Sequence, residues 1–127
     1  MSEQDLSGDT GPEPPILDSA MLAEVSAGDQ EIVAELVSLY TLESRRQVDE
    51  LSSAVATRDA DAVRRLTHSL KGSSLSVGAV RLAAVSNELF EAAVGEQLDA
   101  LAGLYVRLRG DFDQTLAALG EIDGGLR

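Results

Sequence analysis

The sequence predicts an all-α fold: an antiparallel, up-down four-helix bundle with a short additional N-terminal helix. Three observations predict it. No proline follows Pro15, so nothing in the rest of the chain removes a backbone N–H from a helix interior. Ala, Leu, Glu, Gln and Arg are frequent there, and these residues favour helix. Apolar residues recur at steps of three and four, with no strict alternation bounded by hairpin turns.

The elements follow in order. Residues 1–15 hold three prolines, two glycines and mostly acidic or small polar residues. Such a composition buries too little surface to offset the entropy of ordering, and it reads as a disordered acidic tail. Asp18 or Ser19 caps a short first helix that ends after Ser26, at Gly28. Asp29 caps a long second helix, in which Val33, Val37, Tyr40, Ser44, Val48, Leu51 and Val55 share one face. Leu36 widens that stripe. Thr57 and Arg58 mark a turn, and Asp59 caps a third helix with Val63, Leu66, Leu70 and Val77 inward and Gly78 at its end. A fourth starts near Ala79, shows Leu82, Val85 or Ser86, and Leu89, and stops around Gly95. A fifth runs from Glu96 to about Leu119 with Leu98, Leu101, Tyr105, Leu108 and Phe112 inward. The closing Gly120-Glu121-Ile122-Asp123-Gly124-Gly125 looks turn-like, so the bundle is placed at residues 16–122 and a C-terminal tail at 123–127. Four helices close their own core, which makes a monomer the expected state.

Composition excludes several functions. A chain of 127 residues fits one domain. With no cysteine and one histidine, it has no disulfide, no thiolate nucleophile and no multi-histidine metal site. The formal charge is −12, with 10 acidic and no basic residues before Arg45. That surface repels phosphate backbones and anionic lipid, so neither nucleic acid nor membrane is an expected partner. No apolar run approaches the roughly 20 residues of a membrane span. The acidic start is unlike a basic signal-peptide leader, so a cytoplasmic location is expected.

The third helix carries the chemistry. His68 and Lys71 are the only histidine and the only lysine of the chain. At about 100° per residue His68 falls about 140° from Val63, on the face turned away from the buried stripe, with Arg64, Lys71, Gly72 and Leu75 on the same side. A lone histidine without context is an incidental surface residue. Here the context is unusual. A glycine within a helix costs roughly 1 kcal/mol relative to alanine, yet Gly72 sits one turn beyond His68 and leaves room for another molecule to reach the ring. The neighbouring cations suit an incoming phosphoryl group. Leu75 adds an apolar spot to a face that solvent alone would keep polar. A hydrolase or acyl transferase is disfavoured, because no carboxylate lies within one turn of His68 on its face; Asp61 is nearly two turns back.

The run Thr67-His68-Ser69-Leu70-Lys71-Gly72-Ser73-Ser74, followed by Gly78-Ala79, Leu82 and Leu89, closely resembles the histidine-containing phosphotransfer (HPt) domain of two-component phosphorelays. The resemblance implies that His68 accepts a phosphoryl group, that Lys71 stands near the phosphoryl oxygens, and that Gly72 lets the partner's loops close in. Leu75, Arg64, Arg65 and Ser69 become candidates for partner access and docking, with Ser69 expected to hydrogen-bond locally. Ser73, Ser74 and Ser86 are expected to permit tight helix packing. Asn87 and Glu88 would lie near the site or simply on the surface of the fourth helix.

The implied partners are response-regulator receiver domains and, as an alternative donor, a hybrid sensor or other histidine kinase acting in trans. The chain would bind no cofactor itself, and Mg²⁺ is expected on the receiver. It shows no glycine-rich nucleotide loop and leaves no room for a kinase ATP-binding domain, so it is expected to relay phosphate rather than draw it from ATP. The rival reading is a non-catalytic adaptor or inhibitor on the same scaffold. An adaptor, however, has no physical need for His68, Lys71 and Gly72 together.

Overall fold

The computed structural model describes residues 13–125. In chain order these form α1 (Ser19–Ser26), α2 (Gln30–Ala56), α3 (Ala60–Ser76) and α4 (Val80–Val94), then a 3-10 turn (Leu98–Ala100) and α5 (Leu101–Gly125). Each long helix packs on its chain neighbour and α5 returns to α2, which closes a four-helix bundle; α1 leans on α2 and α3. Short links force the antiparallel, up-down arrangement.

The first three helices start at the expected carboxylates. Asp18 accepts a hydrogen bond from the Ala20 N–H, Asp29 from Glu31 and Ile32, and Asp59 from Ala62. Each such cap satisfies donors that the first turn leaves free, and its loss costs about 1 kcal/mol. The turn after α3 needs its glycine. Gly78 has φ of +78°, and a Cβ there would lie 2.3 Å from the Asp18 carbonyl oxygen. The Gly78 carbonyl in turn accepts from the Asp18 N–H at 2.7 Å, which ties the entry to α1 onto the α3–α4 turn.

Leu51, Val63, Leu70, Leu82, Leu89 and Leu108 are essentially inaccessible to water and fill the centre. Each contributes roughly 1.5–3 kcal/mol by burial, and Leu70→Ala would cost about 2–5 kcal/mol. Two hydrogen bonds pin helices across this core. Tyr40 and Ser74 share one at 2.7 Å between their hydroxyls, joining α2 to α3. The Tyr105 hydroxyl donates to the Val48 carbonyl at 3.2 Å, joining α5 to α2. On α4, Ala83, Ser86 and Ala93 are buried, and these small side chains let neighbouring helices approach closely. That agrees with Ser86 as a packing residue.

The structure differs from the sequence reading at both ends of α5. Glu96 takes a left-handed conformation (φ 56°), so the α-helix begins only at Leu101, after the 3-10 turn. At the other end the expected turn is helix through Gly125. Ile122 explains it: three residues beyond buried Leu119, it packs against the core and extends the apolar stripe past Gly120. Of the proposed C-terminal tail, residues 126 and 127 lie outside the described residues. So do residues 1–12 of the proposed N-terminal tail. Glu13 and Pro14 contact the bundle, where the Pro14 carbonyl accepts from Arg81 Nε at 2.7 Å and Glu13 lies 3.7 Å from the same guanidinium. Among the described residues no helix is long and apolar enough to cross a membrane.

Candidate functional site

The fold fixes which way α3 faces. Val63, Leu66 and Leu70 are buried, and the opposite side of the helix presents His68, Gly72 and Leu75 to solvent. Leu75, in the last turn of α3, is 38% exposed. A Cβ on Gly72 would meet nothing within 4 Å. The bundle therefore does not require glycine there. The same openness holds at Gly103 and Gly110, so it is the place of Gly72, one turn from His68, that gives it meaning.

Helix α4 forms a second wall beside this face. The His68 and Phe90 rings lie 5.8 Å apart between centroids, tilted by 42°. Lys71 Nζ donates to Asn87 Oδ1 at 3.2 Å. Asn87 and Phe90 are three residues apart, hence on one side of α4, and each meets one of the two candidate side chains of α3, Lys71 and His68. Asn87 thus belongs to the site. Glu88 does not: it pairs with Arg107 on α5, turned away from α3.

An open groove of about 760 Å³ runs from His68 back toward the start of α3, lined by Phe90, Arg64, Arg65 and Asp61 among others. Arg64 and Arg65 are both exposed there. Arg64 is not a free cation, since its guanidinium meets Asp61 at 2.8 Å. Exposed as both partners are, that pair contributes little to stability and can open readily.

Ser69 departs from expectation. Its Oγ accepts a hydrogen bond from Gln47 Nε2 on α2 at 2.7 Å, an interhelical contact rather than a local one. The serine belongs to the α2–α3 seam, on the other flank of α3 from the His68–Phe90 contact. Gln47 is 5% exposed, and its Oε1 finds no partner among the described residues. Ser73 hydrogen-bonds locally instead, to the Leu70 carbonyl at 3.2 Å. Ser74 is fully buried against Tyr40. In that dry contact burial pushes the Tyr40 phenol up to about 12, against a smaller opposing effect of the Ser74 hydrogen bond.

Sequence reasoning missed Phe90 and Gln47. Phe90 is one of only two phenylalanines and lies three residues after Asn87, a spacing that could have flagged it.

Chemically, the arrangement presents an accessible imidazole. Among the described residues no hydrogen bond uses either ring nitrogen of His68, so both are open to solvent species or a partner. Among the described residues no carboxylate orients the ring as in a nucleophile-activating triad. Among the described residues Lys71 is held by a neutral amide and by no carboxylate, which leaves its charge available to an arriving anion.

Comparison with known proteins places these features in context. The family model described as "Hpt domain" matches residues 35–121. The crystal structure of histidine-containing phosphotransfer protein B (HptB) from Pseudomonas aeruginosa PAO1 superposes with a TM-score of 0.83 at 28% sequence identity, covering 89% of this chain and 98% of that one. Among curated proteins no significant match is found.

Proposed function

We propose, from the premise that this chain belongs to the Hpt domain family, that it is a phosphorelay intermediary carrying a phosphoryl group on His68. The family match and the likeness to HptB support phosphotransfer within a relay. The finer reading is our own: His68 takes the group from a receiver-domain aspartyl phosphate, or from a histidine kinase in trans, and passes it to another receiver. A cytoplasmic, monomeric protein is part of the same proposal.

One observation carries the assignment. The chain's only histidine stands exposed on α3, one turn from a glycine that its own fold does not require, with a lysine held by a neutral amide beside it. In the transfer, a lone pair of the neutral imidazole forms the N–P bond as the acyl-phosphate P–O bond breaks, and that bond's electrons return to the receiver's carboxylate. The proton on the other ring nitrogen stays on the ring or leaves to water. The transition state is loose and spreads charge over the phosphoryl oxygens, so positioning and electrostatics dominate. Lys71 supplies positive charge from this side; the receiver is proposed to supply its acidic pocket and Mg²⁺. Gly72 and Leu75 offer close approach and apolar contact, and Arg64 and Arg65 flank the approach from the groove. Ser69, committed to Gln47, is assigned no contact with the phosphoryl group.

The test is phosphotransfer from a panel of phosphorylated receiver domains, quenched in acid and in alkali. Acid-labile, base-stable label that disappears in His68→Gln is expected. Receivers that bind at micromolar affinity yet transfer nothing would replace this reading with a non-catalytic adaptor.

A further inference from the structure

We infer that Phe90 is the positioning residue for His68: its ring, packed on the imidazole, holds the nucleophilic nitrogen in the direction a docked receiver requires. The inference rests on the reading of His68 as the phosphoacceptor, and it adds a residue on a different helix to that site.

Three observations carry it. The centroid distance of 5.8 Å and the 42° tilt lie within the range of favourable aromatic pairs. The imidazole has no hydrogen-bond partner among the described residues, so nothing polar restrains its rotation about the Cβ–Cγ bond; packing against Phe90 is the restraint the structure offers. Phe90 is also only half-buried, and it belongs neither to the buried core nor to the partly buried side chains packed on it. A large phenyl ring that contributes little to the core and touches the site's histidine is explained by that contact.

The chemistry gives the contact a purpose. In-line transfer requires the attacking lone pair to meet phosphorus opposite the breaking P–O bond, and an imidazole free to turn satisfies this only part of the time. Asn87 and Phe90 divide the work on α4. Asn87 holds the cation at 3.2 Å and Phe90 holds the ring. Rotation or displacement of α4 would then move both elements of the site together.

The decisive comparison is wild type, Phe90→Leu and Phe90→Tyr, each assayed with a phosphorylated receiver across a concentration series and with phosphoramidate, a small donor that needs no docking. The chain has a single histidine, so its Hε1 and Hδ2 resonances report the ring directly. In Phe90→Leu the saturating transfer rate should fall about tenfold with an unchanged half-saturating receiver concentration, consistent with lost orientation. Phosphoramidate labelling should stay within about threefold, because a small donor approaches from many directions. The two resonances should move as the phenyl ring current is lost, and Phe90→Tyr should restore both rate and resonance. A wild-type rate in Phe90→Leu would overturn the inference. So would a defect that resides wholly in the half-saturating concentration, which would make Phe90 a docking contact. Wild-type protein that takes no label from either donor would instead overturn the phosphoacceptor reading, a failure visible before any Phe90 variant is examined.

Discussion

Lys71 Nζ donates a hydrogen bond to Asn87 Oδ1 at 3.2 Å, so the α3 cation one turn beyond His68 is held by an uncharged group of α4. A carboxylate at the same place would hold the ammonium by its charge and compete with any anion brought to His68. An amide positions the lysine and leaves its charge available.

Asn87→Asp should therefore shift the equilibrium of phosphoryl exchange away from this chain. The new pair is partly exposed, and such pairs contribute about 0.2–1 kcal/mol, so the shift should reach at most about fivefold. Measuring the partition of label between a receiver and the variant at equilibrium decides it. A partition equal to wild type would show that Lys71 does not act on the bound phosphoryl group.

Gly72→Gln separates stability from access. Nothing lies within 4 Å of the added Cβ, and the residue sits inside α3. Replacing a helical glycine with a good helix former should raise stability by about 0.5–1 kcal/mol, seen as a higher melting temperature. The longer side chain stands one turn from His68, and receiver-driven transfer should fall by about a hundredfold. Full transfer in a stable variant would remove the steric role assigned to this glycine.

The bundle was legible where one helix alone decides the outcome. The stripe from Val33 to Val55 shows itself by its spacing, and Asp18, Asp29 and Asp59 announce helix starts because a carboxylate there satisfies first-turn N–H groups. The outward placement of His68 follows from its angle to Leu66 and Leu70 in the same way. What stayed hidden depends on two helices at once. Phe90 meets His68, and Gln47 meets Ser69, only because of the rotational phase at which α4 and α2 pack on α3. A single helical wheel carries no such phase. The end of α5 was misread for a different reason: the glycines near residue 120 outweighed Ile122, whose packing on the core prolongs the helix.

His68→Gln tests the orientation of α3 as well as the chemistry. The imidazole is exposed and its one notable contact is the edge of the site at Phe90. The free energy of unfolding should change by no more than the loss of one aromatic contact, about 0.5–1.5 kcal/mol, while labelling disappears. A much larger loss of stability would mean that this side of α3 carries core packing.

The Tyr40–Ser74 contact makes stability depend on alkaline pH, with a sign that can be worked out. Tyr40 is 5% exposed, and burial raises its phenol from the ordinary value of 10.0 to about 12. Between those values the unfolded chain has released the phenol proton and the folded chain still holds it. The folded state then binds more protons, so the free energy of unfolding falls as pH rises. The stabilising contribution is complete below pH 10 and is lost as pH climbs to about 12, by up to roughly 3 kcal/mol at 1.36 kcal/mol per unit. Tyr40→Phe removes the titrating group together with one buried hydrogen bond, about 1 kcal/mol at neutral pH. Denaturant unfolding of both proteins at intervals from pH 9 upward should therefore show wild type ahead at first and the gap narrowing or reversing in the alkaline window. A gap that stays constant would mean that the folded protein does not hold the Tyr40 proton more tightly than the unfolded chain does.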